Sequence, residues 1–191
     1  MNKIFIILLL TLEYSFALCR YEIKCNNQLL QESHKIMMTQ VGILEKSNKN
    51  DGEVQKYLKV VGLQGNYPYC AAGQYWCFHQ AAIQLGISSK MIPIPKTALA
   101  NSMFNFAKKN GVLGKFLPQK NDLIVWRKHN SYKGHIERII AVQSKGWITT
   151  VGFNTSSYIN KKYVEGVFIK KRNIFHFIGL LKTRGLIGFK Q

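Results

Sequence analysis

Two hydrophobic patterns divide the chain at Gly114. Before it, apolar residues recur at helical spacing in four segments, residues 27–45, 53–61, 70–85 and 97–109. After it they form short β-type runs separated by Gly, Asn and Lys, at residues 122–126, 135–142, 147–153 and 164–170, with 175–180 a further candidate. Helices followed by strands predict an α+β domain whose N-terminal helices pack on a C-terminal antiparallel sheet.

The third helical segment carries the first candidate for chemistry. It is apolar nearly all round, so we expect a helix buried in the middle of the fold. Cys70 opens this helix, where unpaired backbone N–H groups favour a thiolate. Such a cysteine is a good nucleophile if a base reaches it. A cysteine inside an apolar helix is more often a core residue, and Cys77 fits that description.

His135 is the candidate base, at the start of a predicted strand. The four residues 143–146 that follow this strand suit a hairpin. If Val142 pairs with Trp147, His135 lies directly opposite Asn154, whose side chain then fixes the tautomer of the imidazole. Cysteine, histidine and asparagine in these positions are typical of hydrolases that cleave amide bonds.

Each member of this triad has a distinct expected role. Cys70 attacks a carbonyl carbon, His135 takes the thiol proton and later protonates the leaving amine, and Asn154 orients His135. The oxyanion needs donors, which we expect from the backbone N–H of Cys70 and a nearby side chain such as Gln64. The histidines and cysteines have no zinc-site spacing, so we expect no metal and no other cofactor.

Residues 1–19 have the features of a secretory signal peptide. A short basic end precedes an apolar run at residues 4–12, too short to span a bilayer comfortably, and Ala17 and Cys19 suit a cleavage site. We therefore expect residues 20–191 to form one secreted or periplasmic domain with no transmembrane segment. Lipidation of Cys19 is an alternative, but Leu18 is a poor fit to the residue that precedes a lipidated cysteine.

The chain is strongly basic, with a formal net charge of +18 over 191 residues. Removal of residues 1–19 takes away Lys3 and Glu13, so the mature net charge is the same. This charge predicts attraction to polyanions. Export favours an anionic cell-wall polymer over nucleic acid, for which the sequence has no reading motif.

The cysteine count leaves two alternatives for the mature chain. Cys25, Cys70 and Cys77 are an odd number, so at least one thiol stays free. Cys70 and Cys77 are roughly 10 Å apart along one helix and cannot bond. Cys25 and Cys77 either form a disulfide or are both unpaired buried thiols. We expect the domain to be a monomer.

Several short segments occur in an order and spacing that together are distinctive. They are residues 41–46, 50–52, 56–58, 68–72, 95–98, 121–126, 134–136, 150–155, 166–168 and 171–172. In these segments the chain resembles the CHAP family, the cysteine, histidine-dependent amidohydrolases/peptidases of the papain-like superfamily. The resemblance is greatest to small bacterial and phage members that act on peptidoglycan.

The resemblance implies a papain-like fold with the nucleophile at Cys70, the base at His135 and a third polar residue at Asn154. It also implies hydrolysis of a peptidoglycan amide bond, within the stem peptide or between sugar and peptide. The chain departs from the family pattern in two places. Members often carry Glu-Gly where this chain has Gly152 and Phe153, and they often carry Gly at the position of Glu137. Glu137 shares the face of His135, so we expect it to line the cleft or hold a basic neighbour.

Two other functions are compatible with the same sequence. The departures at Gly152 and Phe153 suggest a catalytically inactive wall-binding module of this fold. The export signal and the basic charge also fit an antibacterial effector amidase delivered to rival bacteria, which would be accompanied by an immunity protein.

Overall fold

The computed structural model describes residues 18–128, 131–181 and 183–190. Four α-helices lie within them, α1 (Asn27–Thr39), α2 (Gln55–Val60), α3 (Cys70–Gln84) and α4 (Ala100–Asn110), together with short 3₁₀ turns at Gly52–Val54, Ser89–Met91 and Ser144–Gly146. The first 17 residues of the predicted signal peptide lie outside the described part. No helix in the described part is long and apolar enough to cross a membrane.

Seven strands of the described residues form one sheet. They are β1 (Leu18–Lys24), β2 (Val112–Gly114), β3 (Leu123–Arg127), β4 (Gly134–Val142), β5 (Trp147–Ile159), β6 (Lys162–Asn173) and β7 (Thr183–Lys190). Their order across the sheet is β2-β1-β7-β3-β4-β5-β6. The predicted α+β class is confirmed.

The sheet is mixed, which corrects the prediction of an antiparallel sheet. Strands β1 and β7 run parallel from Leu18 opposite Arg184 to Lys24 opposite Lys190, whereas all other neighbours are antiparallel. The first and last strands of the described chain therefore lie side by side and run in the same direction. Sequence periodicity did not indicate either strand. The candidate strand at residues 175–180 is wrong, since the last strand begins at Thr183.

The predicted helices are confirmed with different ends. Helix α1 ends at Thr39 rather than at residue 45, since Gly42 has a φ of +93° that ends the helical course. The residues that follow turn back to the sheet, where Leu44 forms a bridge with Gly166 of β6. This contact brings the loop after α1 close to the strands that carry the site.

The helices and the sheet enclose one main core. Helix α3 lies at its centre, with Ala71, Ala72, Cys77 and Phe78 fully buried. Alternation along β3 divides its side chains, because Leu123 and Val125 join the main core while Ile124 and Trp126 join a smaller cluster. The buried position predicted for the third helix is therefore confirmed.

Strand β1 is anchored by a buried ion pair. Arg20 donates from Nε to Oδ2 of Asp122 at 2.8 Å, and both side chains are nearly inaccessible. Glu22 also contacts the guanidinium of Arg20. Cleavage after Cys19 would leave this anchor and most of β1 in the mature chain.

All four cysteines are free thiols. Of the two alternatives for Cys25 and Cys77, the structure therefore has unpaired buried thiols. Burial raises the pKa of Cys25 to about 11 and the pKa of Cys77 to about 12. Both thiols consequently stay protonated at neutral pH.

Candidate active site

Cys70 is the first residue of α3 and is almost completely buried. The backbone N–H groups of the first helical turn have no partner within the helix, so they converge near the sulfur. Gly73, one turn later, allows the sheet to approach closely. A Cβ at Gly73 would lie 2.3 Å from the ring of Phe153 in β5, so the helix and this strand fit together only with glycine there.

His135 lies at the beginning of β4, beside Cys70. The thiol is within hydrogen-bonding reach of its imidazole. The ring is 15% exposed and stacks on Trp126, its neighbour across the ladder, with ring centroids 6.2 Å apart. Gly134 allows helix α4 to approach, because a Cβ there would lie 2.6 Å from Oδ1 of Asn101. The structure thus brings together the two residues for which the sequence predicts nucleophile and base.

Glu137 holds the other side of the imidazole. Its Oε1 lies 3.0 Å from Nε2 of His135, which leaves Nδ1 for the thiol. Successive residues of a strand alternate in direction, so positions 135 and 137 share one face. Glu137 therefore holds a basic neighbour, His135, as expected from the sequence.

The carboxylate of Glu137 is completely buried, and both of its oxygens accept hydrogen bonds. Arg172 of β6 donates from Nη2 to Oε1 at 2.6 Å and from Nε to Oε2 at 3.0 Å. Thr150 of β5 donates its hydroxyl to Oε2 at 2.6 Å. Three strands therefore contribute to one network, and the carboxylate has little freedom to turn away from His135.

The network sets the charges of both residues. Burial lowers the pKa of His135, but the hydrogen bonds with Cys70 and Glu137 outweigh burial and raise the pKa to about 9. Burial raises the pKa of Glu137, but the hydrogen bonds with His135 and Arg172 lower it to about 2. At neutral pH the pair is therefore an imidazolium beside a carboxylate.

Asn154 does not make the contact predicted for it. Its Nδ2 donates to Oδ1 of Asn50 at 2.6 Å and lies 3.4 Å from Oε1 of Glu45. The ring nitrogen that Asn154 was expected to hold faces Glu137 instead. This corrects the role predicted for Asn154, although the residue still lies near His135, in the wall of the same cavity.

The reason is an irregularity in each of the paired strands. Val142 pairs with Ile148 rather than Trp147, and a bulge between Ile139 and Ala141 then returns the ladder to the predicted register at Glu137. On β5 a second irregularity begins after Gly152, and Asn154 has a φ of +53°. The ladder therefore stops two residues before the predicted pair.

Gln64 also departs from its predicted role. Its side chain is exposed and lines a separate cavity of about 330 Å³ with residues of α2. The cavity that reaches Cys70 is lined by Leu63 and Tyr67 from the same loop, but not by Gln64. A donor to an oxyanion at Cys70 must come from the backbone of α3 or from another side chain.

One comparison with known proteins decides the family. Residues 62–154, which include Cys70, His135 and Asn154, match the model of the CHAP domain. Residues 62–154 of this chain belong to the CHAP family. CHAP domains are generally hydrolases that act on amide bonds, and the match indicates an amidase or peptidase of the peptidoglycan-hydrolase type. Neither a curated protein nor a solved structure matches the chain.

The two departures from the CHAP pattern lie opposite each other. Glu137 pairs with Gly152 across the ladder, and a Cβ at Gly152 would lie 2.9 Å from Oε1 of Glu137. Family members often carry a carboxylate at the position of Gly152. In this chain Glu137 supplies it. Phe153, the other unusual residue, packs on Gly73 and on the ring of Tyr57. Neither departure leaves a gap beside His135.

Two further partners in this site were not predicted from the sequence, and both lie outside the residues matched to the CHAP domain. Arg172 follows the matched residues by 18 positions and reaches Glu137 only because β6 pairs with β5. Glu45 accepts hydrogen bonds from Tyr69, the residue before the nucleophile, and from Asn50. Glu45 ends the segment predicted as a helix but lies in the loop after α1, so the helical pattern did not indicate its buried position.

A cavity of about 890 Å³ opens at the nucleophile of the CHAP domain. Cys70 and Gly134 form its base, and the apolar side chains of Leu63, Leu99 and Tyr132 are among those that line it. Lys96 and Lys133 also contribute to the wall. The cavity therefore connects the nucleophile with a mainly apolar surface.

Proposed function

We propose that this chain hydrolyses an amide bond of peptidoglycan by a cysteine mechanism. Cys70 is the nucleophile, His135 is the general base and acid, and Glu137 is the positioning residue that orients the imidazole. The observation that carries the proposal is the continuous contact from Cys70 through His135 to the buried carboxylate of Glu137.

The charge on His135 supports the first step. A pKa of about 9 keeps the imidazole protonated at neutral pH, and its positive charge attracts a thiolate at Cys70. The N-terminus of α3 adds a further positive potential at the same sulfur. Both features favour attack by the sulfur, and the protonated ring holds the proton that the leaving amine needs.

The reaction then proceeds in two balanced steps. With the thiol proton on His135, the sulfur of Cys70 bonds to the carbonyl carbon, the C–N bond breaks, and His135 gives that proton to the leaving amine. Water then gives a proton to His135 and attacks the resulting thioester, the C–S bond breaks, and a carboxylic acid is released while His135 returns the proton to the sulfur. Backbone N–H groups at the start of α3 stabilise the oxyanion in both steps.

Glu137 stays deprotonated throughout the reaction. Its pKa of about 2 means that it stays ionised while His135 changes charge. Arg172 and Thr150 hold it in place, so it fixes the ring with Nδ1 toward the sulfur. An ionised carboxylate also stabilises the imidazolium more strongly than the amide of an asparagine would.

The location of the substrate fits the remaining features of the chain. Peptidoglycan lies outside the cytoplasm, which agrees with the signal segment expected at residues 1–19. The net charge of +18 favours binding to anionic wall polymers. Both an own-wall remodelling enzyme and an effector against other cells would use this chemistry.

Digestion of purified peptidoglycan tests the proposal. Wild-type protein should release soluble muropeptides, and mass spectrometry of the products identifies the broken bond. Cys70→Ala should reduce the rate at least about 1000-fold, as expected for loss of a nucleophile. Cys77→Ala, a matched change in the same helix, should retain most of the activity.

A thiol-labelling experiment separates an active site from an inactive module. Iodoacetamide should alkylate Cys70 rapidly below pH 8, and His135→Ala should slow that reaction. Cys25 and Cys77 should react slowly because burial raises their pKa values. Release of muropeptides by Cys70→Ala at the wild-type rate would overturn the proposed function.

A further inference from the structure

Two cavities reach the pair formed by Cys70 and His135, one at each residue. The larger, of about 890 Å³, reaches Cys70 and has a mainly apolar lining. The smaller, of about 310 Å³, reaches His135, and its polar lining comes from Asn154, Thr155, Ser156, Tyr163, Glu165 and Arg172. The cavity at Cys70 and the cavity at His135 therefore offer different chemistry to a substrate.

The roles of the two residues decide which part of an amide faces each cavity. The acyl carbon must reach the sulfur of Cys70, and the leaving nitrogen must receive a proton from His135. In the proposed mechanism the acyl part therefore lies in the larger cavity, which reaches Cys70. The released amine lies in the smaller one, which reaches His135 and is lined by side chains of β5 and β6.

Glu165 brings an unpaired negative charge into the smaller cavity. In the described part of the chain it takes part in no ion pair, unlike Glu22, Glu32, Glu53, Asp122 and Glu137. The cation in the same cavity, Arg172, donates to Glu137 instead. In a chain with a net charge of +18, this carboxylate is available to a positive group of a ligand.

The position of Glu165 is fixed on three sides. Its backbone N–H donates to Oδ1 of Asn48 at 2.8 Å, and its carbonyl accepts from the N–H of Glu45 at 2.9 Å. The hydroxyl of Tyr163 donates to Oε1 at 2.6 Å. The second carboxylate oxygen remains for a ligand, and a group already held in place loses little entropy on binding.

We propose that Glu165 binds a primary ammonium group on the leaving-amine side of the substrate. The domain then prefers amide bonds whose released amine carries a further free amino group. This inference rests on the proposed function, whose site it extends with a specificity-determining residue. Glu165 acts on substrate binding, so its loss affects KM more than kcat.

Soluble muropeptides with free amino groups, and the same muropeptides after N-acetylation, provide the test. Initial rates below saturation are compared for wild type, Glu165→Gln and the control Glu53→Gln, which removes an equal charge from an exposed site on the surface. Glu165→Gln should lower the rate on unmodified muropeptides by about three- to tenfold. It should leave the rate on acetylated muropeptides unchanged, and Glu53→Gln should change neither.

A binding measurement distinguishes failure of this inference from failure of the proposed function. In the Cys70→Ala background, Glu165→Gln should weaken binding of unmodified muropeptides by the same factor and leave binding of acetylated ones unchanged. Absence of Cys70-dependent hydrolysis with retained Glu165-dependent binding would sink only the proposed function. Equal effects of Glu165→Gln on both muropeptide sets, or no effect on either, overturn the inference.

Discussion

Glu137 and Gly152 lie opposite each other on neighbouring strands, and the carboxylate of Glu137 fills the space that a side chain at Gly152 would need. The same carboxylate lies 3.0 Å from Nε2 of His135. Directly opposed Cβ atoms are about 5 Å apart, so either position can deliver a carboxylate to this point. This chain carries the carboxylate at position 137, whereas family members often carry it at the position of Gly152.

The pairing predicts that the two residues can be exchanged. Glu137→Gly should lower kcat/KM about 100-fold or more, because His135 and Arg172 lose their shared partner. Gly152→Glu alone should also be inactive, since its Cβ meets Glu137. The double variant should recover at least about tenfold over either single variant in muropeptide release. A double variant no better than Glu137→Gly would contradict this relationship.

The pKa values of the same pair predict how stability depends on pH. The raised pKa of His135 stabilises the fold fully below its ordinary value of 6.5, and this contribution is lost as pH rises toward about 9. The lowered pKa of Glu137 stabilises the fold above its ordinary value of 4.5, and this contribution is lost as pH falls toward about 2.

Urea denaturation across this range measures the effect. The free energy of unfolding contributed by the pair should be greatest between pH 4.5 and 6.5 and should decline on both sides. His135→Asn should flatten the decline between pH 6.5 and 9, because it removes the group that titrates there. An alkaline decline equal to that of wild type would show that other groups cause it.

The contact between Gly73 and Phe153 predicts a strong cost for a single methyl group. Gly73→Ala should destabilise the protein by about 1–3 kcal/mol, because the helix and β5 must separate or the ring must move. Phe153→Leu should relieve part of that cost, so the two changes should be non-additive in thermal denaturation. Gly114→Ala is the matched control, since a Cβ there meets only ordinary contacts of 3.4 Å and beyond.

The net charge predicts different salt sensitivity for different substrates. Hydrolysis of intact wall should slow about fivefold or more between about 50 and 500 mM NaCl, because screening weakens attraction to the anionic polymer. Hydrolysis of small soluble muropeptides should change less than about twofold. An equal salt effect on both substrates would place the effect at the active site rather than in wall binding.

Local pattern in the sequence was sufficient for most elements and for two members of the site. The start of α3 at Cys70 and the strand that opens at His135 follow from periodicity, Gly positions and apolar runs, which depend on neighbouring residues. Hairpin reasoning also gave the correct register at Glu137, although the pairing assumed for Val142 was wrong by one residue.

Long-range pairing decided the rest. Because of two irregularities within paired strands, Asn154 contacts Asn50, which precedes it by 104 residues, and Glu137 is the partner of His135. The parallel pair of β1 and β7 joins the two ends of the described chain. The sequence alone therefore determined which residues could react, through local spacing. Only the tertiary structure decided which carboxylate orients the histidine, because that choice depends on the register of three strands at once.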